Sequence, residues 1–175
     1  YFADSALSYA SFEVCTQLIR DLPVITNVSI TSTDVATGTT YVAWSSPKVL
    51  DSAQTPPPYE YKIYRSPDLT GNSFSFVASS FGLNDTTFSD SNLNTVANGS
   101  SYKIEWWSNG NKIGETLKAS VIFLTSSPTD NKINLSWTEN VPWINSKYYI
   151  YRKDAAGVFA IVGTATIQNF TDTGL

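Results

Sequence analysis

The residues with the most chemistry to offer are carboxylates. Asp51, Asp85, Asp90 and Asp130 could supply oxygen ligands to calcium, and pairs drawn from Asp85, Asp90, Glu105 and Glu139 could serve as the acid and base of glycoside hydrolysis. The sequence assembles neither arrangement. No Asp-x-Asp-x-Asp-Gly loop is present, so each Asp reads as a turn former. Asp85 and Asp90 flank a short strand, Glu105 faces outward from its own, and Glu139 lies in a loop, so nothing makes two carboxyls converge. The chain has no histidine, which removes the usual general base, the Ser-His triads and the commonest metal ligand. Cys15 is the single cysteine and has no base to activate it. It reads as a buried, inert thiol or as half of a disulfide whose partner is missing from this sequence. The expectation is a chain with no enzymatic activity, no cofactor and no metal.

Binding is better provided for. Trp107 points away from the face of Trp106, Trp143 follows Pro142 in a loop, and Tyr149 lies in an aromatic run. Exposed rings of this kind stack on sugars or on partner proteins. The plainer reading has Trp107 packing under a neighbouring loop and Trp143 capping an interface between modules, because large aromatics are seldom left bare. Nucleic acid is excluded as a partner: net charge is −4 and no Lys/Arg cluster is present. No apolar run is long enough for a membrane helix, so membrane insertion is not expected.

The elements that must position these residues come from a repeat. Tyr61-Lys62-Ile63-Tyr64-Arg65 returns as Tyr148-Tyr149-Ile150-Tyr151-Arg152. Upstream of each is an alternating run ending in Trp, Val42-Ala43-Trp44 and Leu135-Ser136-Trp137; downstream of each is Phe-x-Asp, at Phe88 and at Phe170. The offsets between copies shrink from 93 to 87 to 82 residues, as expected for a repeat of about ninety residues with shorter loops in the second copy. Hydrophobic residues make up 42% of the 175, enough to fill a core. Strands are expected over residues 24–30, 40–45, 59–65, 74–77, 87–89, 102–107 and 118–124. The Asn109-Gly110 pair is expected to make a hairpin between the last two. Two sheets would then meet over Trp44, Tyr61, Ile63, Tyr102, Ile104 and Trp106. In the second copy strands are expected at 133–137, 148–152, 158–162 and 170–171, after a short Pro-containing connection over 125–132 that fixes the angle between modules. The fold class is all-β: tandem β-sandwich modules, one complete and one incomplete.

The division expected is therefore a tail over 1–22, the closing strand of a preceding module; a complete module over 23–126; and an incomplete one over 127–175, lacking its last two strands. A Tyr1-Phe2 start without Met fits an excised piece. The Ser11-Phe12-Glu13-Val14-Cys15-Thr16-Gln17-Leu18 run reads as a strand. That run, or the open edge of the last module, is expected to pair with another chain by strand addition.

This arrangement resembles fibronectin type III domains, with an inward Trp on the second strand, Tyr-x-Ile-Tyr-Arg on the third and a Tyr opening the sixth. More narrowly it resembles the repeat region of large gliding motility-associated proteins of Bacteroidetes, exported by the type IX secretion system. The residues that carry the likeness are Ser11-Phe12-Glu13-Val14-Cys15, residues 20–28, Tyr41-Val42-Ala43-Trp44-Ser45, Tyr61-Lys62-Ile63-Tyr64-Arg65, Asn140-Val141-Pro142-Trp143-Ile144-Asn145 and Ile150-Tyr151-Arg152-Lys153. The resemblance implies a secreted or cell-surface multidomain protein and a disulfide from Cys15 to a residue preceding Tyr1. It also implies neighbouring modules of the same chain as partners. Asp4-Ser5-Ala6, Asp51-Ser52-Ala53 and Asp85-Thr86-Thr87 resemble the O-glycosylation signal of such proteins, which would modify Ser5, Ser52 and Thr86. The leading expectation is a rigid, non-catalytic spacer in an adhesion or motility apparatus. The alternative is a module that binds carbohydrate or protein, including one attached to a secreted glycan-active enzyme.

Overall fold

A computed structural model describes residues 21–173. Residues 1–20 and 174–175 lie outside the described residues, and with them Ser5, Cys15 and the expected 11–18 strand. Everything regular in the described chain is strand. Its β-branched and aromatic runs alternate, and turn formers interrupt them too often for a helix.

The first module has eight strands: β1 (Val24–Ser32), β2 (Gly38–Ser45), β3 (Tyr59–Ser66), β4 (Ser75–Phe81), β5 (Thr87–Leu93), β6 (Ser101–Ser108), β7 (Asn111–Glu115) and the short β8 (Ala119–Ser120). They form a three-stranded sheet in the order β1-β2-β5 and a second sheet in the order β4-β3-β6-β7, with β8 also on β6. All pairings are antiparallel. The sheets close over one core. Val42 and Trp44 come from one side, and Tyr61, Ile63, Tyr102, Ile104 and Trp106 from the other, all buried. The six residues expected to meet here do so. Trp44 sets its ring edge-on to Tyr61 across the gap, with centroids 5.4 Å apart and planes at 67°. This geometry suits the ring quadrupoles.

Two local expectations are corrected. Strict alternation in β1 would bury Val24 with Val28, but Val24 is exposed and Ile25 is buried with Val28. An extra residue between Ile25 and Asn27 breaks the register and flips the strand's start to its other face. The closing strand expected over 118–124 is divided. The Asn109-Gly110 turn, at φ of 46° and 77°, leads into β7, then β8, and Phe123 already belongs to the next sheet.

The second module has β9 (Phe123–Thr129), β10 (Lys132–Thr138), β11 (Tyr148–Lys153), β12 (Phe159–Ala165) and β13 (Asn169–Asp172). Residues 125–132 do not form a linker. Most of them build β9, which pairs with β10 along its whole length through a tight turn at Asp130-Asn131. Pro128 is tolerated because β9 is the edge of the sheet β13-β10-β9. Only Val121 and Ile122 remain between β8 and β9.

The contacts of the first module return in this one. Trp137 meets Tyr148 edge-on at 5.0 Å and 65°. Leu135 pairs with Phe170 as Val42 pairs with Phe88. β11 carries its register shift after Ile150 as β3 does after Ile63. Gly163 replaces Ala78, because a Cβ there would lie 2.5 Å from the Phe170 ring.

Trp44 and Trp137 therefore occupy one position in two cores of different closure. We expect Trp44→Ala to destabilise the chain by about 3–5 kcal/mol in urea unfolding, and Trp137→Ala by clearly less, because its core stays partly open to water. Equal losses would contradict this account.

Candidate functional site

In the first module β3 is covered along one edge by β6, over all eight positions from Tyr59–Ser108 to Ser66–Ser101. In the second, β11 pairs with β12 alone among the described strands. Its other edge borders a groove of about 420 Å³ between the two sheets, lined chiefly by Ile122, Leu124, Leu135, Trp137, Tyr148 and Ile150. Ile122 and Leu124 are 45% and 55% exposed, whereas Trp44, Tyr61 and Ile63 in the closed module are at most 3% exposed. A sheet with an open edge beside an apolar groove is a template for another strand. Glu139 fixes one side, accepting hydrogen bonds from the Tyr148 hydroxyl at 2.6 Å and from Asn145 Nδ2 at 2.8 Å. The carboxylate, and then burial, hold the Tyr148 hydroxyl above its ordinary pKa.

The outer face of the same sheet is also apolar. Tyr149, Tyr151, Phe159 and Ile161 are each more than half exposed, and Tyr151 lies directly opposite Ile161. Lys147 Nζ stands 5.0 Å from the Tyr149 ring centroid, and Lys153 Nζ 5.0 Å from that of Phe159. These cations flank the patch and leave most of it bare.

Trp107 has different surroundings. On the outer face of β6 its ring is covered by Lys62 Nζ, 3.5 Å from the centroid, and its indole N–H donates to Glu105 Oε2 at 3.1 Å. Glu105 is the hub of a charge ladder. Its Oε1 takes Lys112 at 2.6 Å, while Glu115 takes Lys112 at 2.8 Å and Lys103 at 2.9 Å. Burial opposes ionisation of Glu105, but the hydrogen bonds from Lys112 and Trp107 prevail and hold its carboxyl below the ordinary value. Glu115 is lowered by its hydrogen bonds from Lys112 and Lys103. The ladder's cations are thus paired within the face.

Trp143 sits half-buried with Val141 against the core of the first module. The loop that carries it is pinned there by a reciprocal pair: Ser120 N donates to Asn140 O at 2.9 Å, and Asn140 N to Ser120 Oγ at 2.7 Å.

Glu105 and Glu115 lie directly opposite one another and share Lys112, while Asp90, Asp172 and Asp51 are engaged elsewhere. Asp90 accepts from Arg65 Nη1 at 2.7 Å and from the Tyr102 hydroxyl at 3.0 Å. Asp172 takes Arg152 at the matching place in the second module. Asp51 caps its own turn through Ala53 N. Among the described residues no three acidic or cysteine side chains gather as a metal site would require. Ser52 is exposed, and Thr86 is half-buried with its carbonyl bonded to Trp44 N. The groove, the bare outer face and the lysines over the rings went unforeseen residue by residue. Only the repeat, with its sixth and seventh strands missing from the second copy, pointed to an uncovered edge.

No family model and no curated protein matches the chain. Among solved structures it is similar to the third fibronectin III domain of the human KIAA0343 protein, at 10% identity and a TM-score of 0.35, over 63% of this chain and 90% of that one. It is also similar to the FN1–FN3 domains of chicken CNTN1, at 10% identity and a TM-score of 0.40, over 85% of this chain and 53% of that one, about half its length. The fold rests on the strands themselves: tandem fibronectin type III-like sandwiches. No helix of the described residues is long and apolar enough to cross a membrane, which leaves β-barrels aside.

The charge ladder makes a pH prediction. Folded-state values of Glu105 and Glu115 lie below the ordinary 4.5, so their contribution is complete above that pH and is lost as pH falls through the lowered values. The urea midpoint should fall as pH drops below 4.5, and Lys112→Ala should flatten that fall. A Lys112→Ala profile parallel to the parent's would refute it.

Proposed function

We propose that this chain is a rigid, non-catalytic spacer and adhesion unit of a large secreted or cell-surface protein of the gliding motility-associated kind, exported by type IX secretion. The observation that carries the reading is the junction. Two residues separate β8 from β9, Ser120 and Asn140 bond reciprocally, and Val141 and Trp143 rest on the first module's core. Such a joint holds its angle, which a spacer needs and an isolated binding domain does not. The Asn140-Val141-Pro142-Trp143-Ile144-Asn145 stretch, which carries much of the resemblance, is the stretch that makes this contact. In this reading the expected modules over 23–126 and 127–175 are consecutive, with β9 moving the start of the second back to Phe123, and residues 1–22 close a preceding one.

A second reading is favoured by the bare face of Tyr149, Tyr151, Phe159 and Ile161. A surface-displayed spacer with such a face would also bind glycan or protein through those rings.

Small-angle X-ray scattering separates the readings from a flexible tandem. The parent chain should fit a single orientation of the modules, and Trp143→Ala should broaden the distribution of distances. A parent already best fitted by a wide ensemble would end the spacer proposal. For the second reading, Tyr149→Ala should abolish retention on a surface polysaccharide while leaving the melting temperature unchanged; undiminished retention would reject it. An antibody against the chain, applied to native cell fractions, should mark a much larger species at the surface or in the medium. A small intracellular band would contradict both.

A further inference from the structure

The edges of the described sheets are not equally protected. A strand edge offers unpaired N–H and C=O groups to another chain, and charges, prolines and bulges deter the pairing. β1 has two bulges, β5 and β13 carry Asp90 and Asp172, β7 carries Lys112 and Glu115, β9 contains Pro128, and β11 ends in Arg152-Lys153. β12 reads Phe159-Ala160-Ile161-Val162-Gly163-Thr164-Ala165, with no charge, no proline and Thr164 as its one polar side chain. It pairs with β11 on one side and with no described strand on the other. β4 holds the same place in the closed module and likewise has a single neighbour, β3, so a free edge here belongs to the fold. β4 guards that edge with Ser75, Ser79 and Ser80, and Ser79 Oγ donates to Glu60 at 2.6 Å, which brings a carboxylate to its outer face. β12 has no such guard. Its one irregularity, the extra residue Val162 opposite the Ile150–Tyr151 step, leaves Phe159 to Ile161 regular.

β12 is also complementary to itself. Phe159 and Ile161 lie on the outer face, paired with Lys153 and Tyr151, and are 62% and 54% exposed. Ala160 between them pairs with Arg152, which turns inward to Asp172. An antiparallel pair of β12 strands centred on Ala160 sets Phe159 of each copy opposite Ile161 of the other. Outward side chains then meet outward ones, and the register reads the same in both directions, as a two-fold contact requires. Centring on Ile161 would instead oppose Phe159 to Gly163, which lies against Phe170 on the inner face. Aromatic and β-branched side chains facing each other across strands stabilise such a ladder. Each outer row runs Tyr151, Ile161, Phe159, Lys153 over four strands, two residues from each copy. The two rows run in opposite directions, so the Lys153 side chains stand at opposite ends, about 14 Å apart and largely screened from one another.

We propose that β12 of one copy pairs antiparallel with β12 of a second copy across a two-fold axis at Ala160, merging two β11-β12 sheets into one of four strands. The pairing lies in the plane of the sheet and leaves Tyr149 and Tyr151 facing outward on both copies. It joins two spacers side by side and doubles the aromatic face. It goes beyond the spacer reading and is compatible with the binding one.

Sedimentation equilibrium on the full chain tests it, with Ile161→Lys as comparison. The parent should rise toward twice the monomer mass with concentration. Ile161→Lys should remain monomeric, since it brings two ammonium groups close to the axis, and should keep the melting temperature, since Ile161 is more than half exposed. Cysteines read the register independently, in a Cys15→Ser background with oxidised glutathione as oxidant. Directly opposed residues of an antiparallel pair have Cα atoms about 4.5–5.5 Å apart, within disulfide range. Ala160→Cys should therefore give a disulfide-linked dimer on a non-reducing gel. Val158→Cys, which would face Val162 and not its own counterpart, should not. A parent that stays monomeric, or an Ala160→Cys chain that stays unlinked, would overturn the pairing and leave both readings of function standing. Association undiminished in Ile161→Lys would overturn it in favour of another edge, and Val158→Cys linking as fast as Ala160→Cys would reject the register.

Discussion

Everything in this molecule depends on an aromatic pair that bridges two sheets. Trp44 on β2 and Tyr61 on β3 meet edge to face, and Trp137 on β10 and Tyr148 on β11 do the same. An indole and a phenol fill the roughly 10 Å between packed sheets where aliphatic side chains would need several layers to do so. The arginine four residues after each tyrosine then reaches the aspartate of the opposite sheet, Arg65 to Asp90 and Arg152 to Asp172. The ring contact sets the spacing and the ion pair sets the lateral register. Breaking an ion pair of this kind costs most where its aspartate is buried, which holds for both.

Much of this was legible because the residues concerned are large, rare and repeated. Trp, Tyr and the Phe-x-Asp triplets mark the same strand positions twice, and strict alternation put Tyr102, Ile104 and Trp106 on one face without ambiguity. The β1 bulge was not legible: Val24, Ile25 and Val28 are all apolar, and the choice between two faces is made by packing against β2. β9 was hidden because Thr125-Ser126-Ser127-Pro128-Thr129 has the composition of a linker. Its strand conformation comes from the ladder that β10 offers. Tertiary context overrode local preference there.

The candidate sites divide along the same line. That Trp107 and Tyr149 lie on outward faces follows from period two. That Lys62 caps one ring closely while the other stays largely bare depends on strands far apart in sequence. Lys62 reaches Trp107 because β3 and β6 are neighbours, and the strand that would stand beside Tyr149 is missing from the described residues. The same missing neighbour leaves the groove open. One topological fact thus separates a sealed surface, whose charges neutralise one another, from a face whose rings stay exposed.

The two-residue passage from β8 to β9 bears on how the chain carries load. Tension applied across the tandem finds no slack to straighten between Ser120 and Phe123. Force passes from one hydrogen-bonded ladder directly into the next, and the pair cannot lengthen until the bonds between Ser120 and Asn140 or the rungs of a sheet give way. Extension should therefore come in discrete steps, each the rupture of a defined set of hydrogen bonds, with no soft entropic regime before the first.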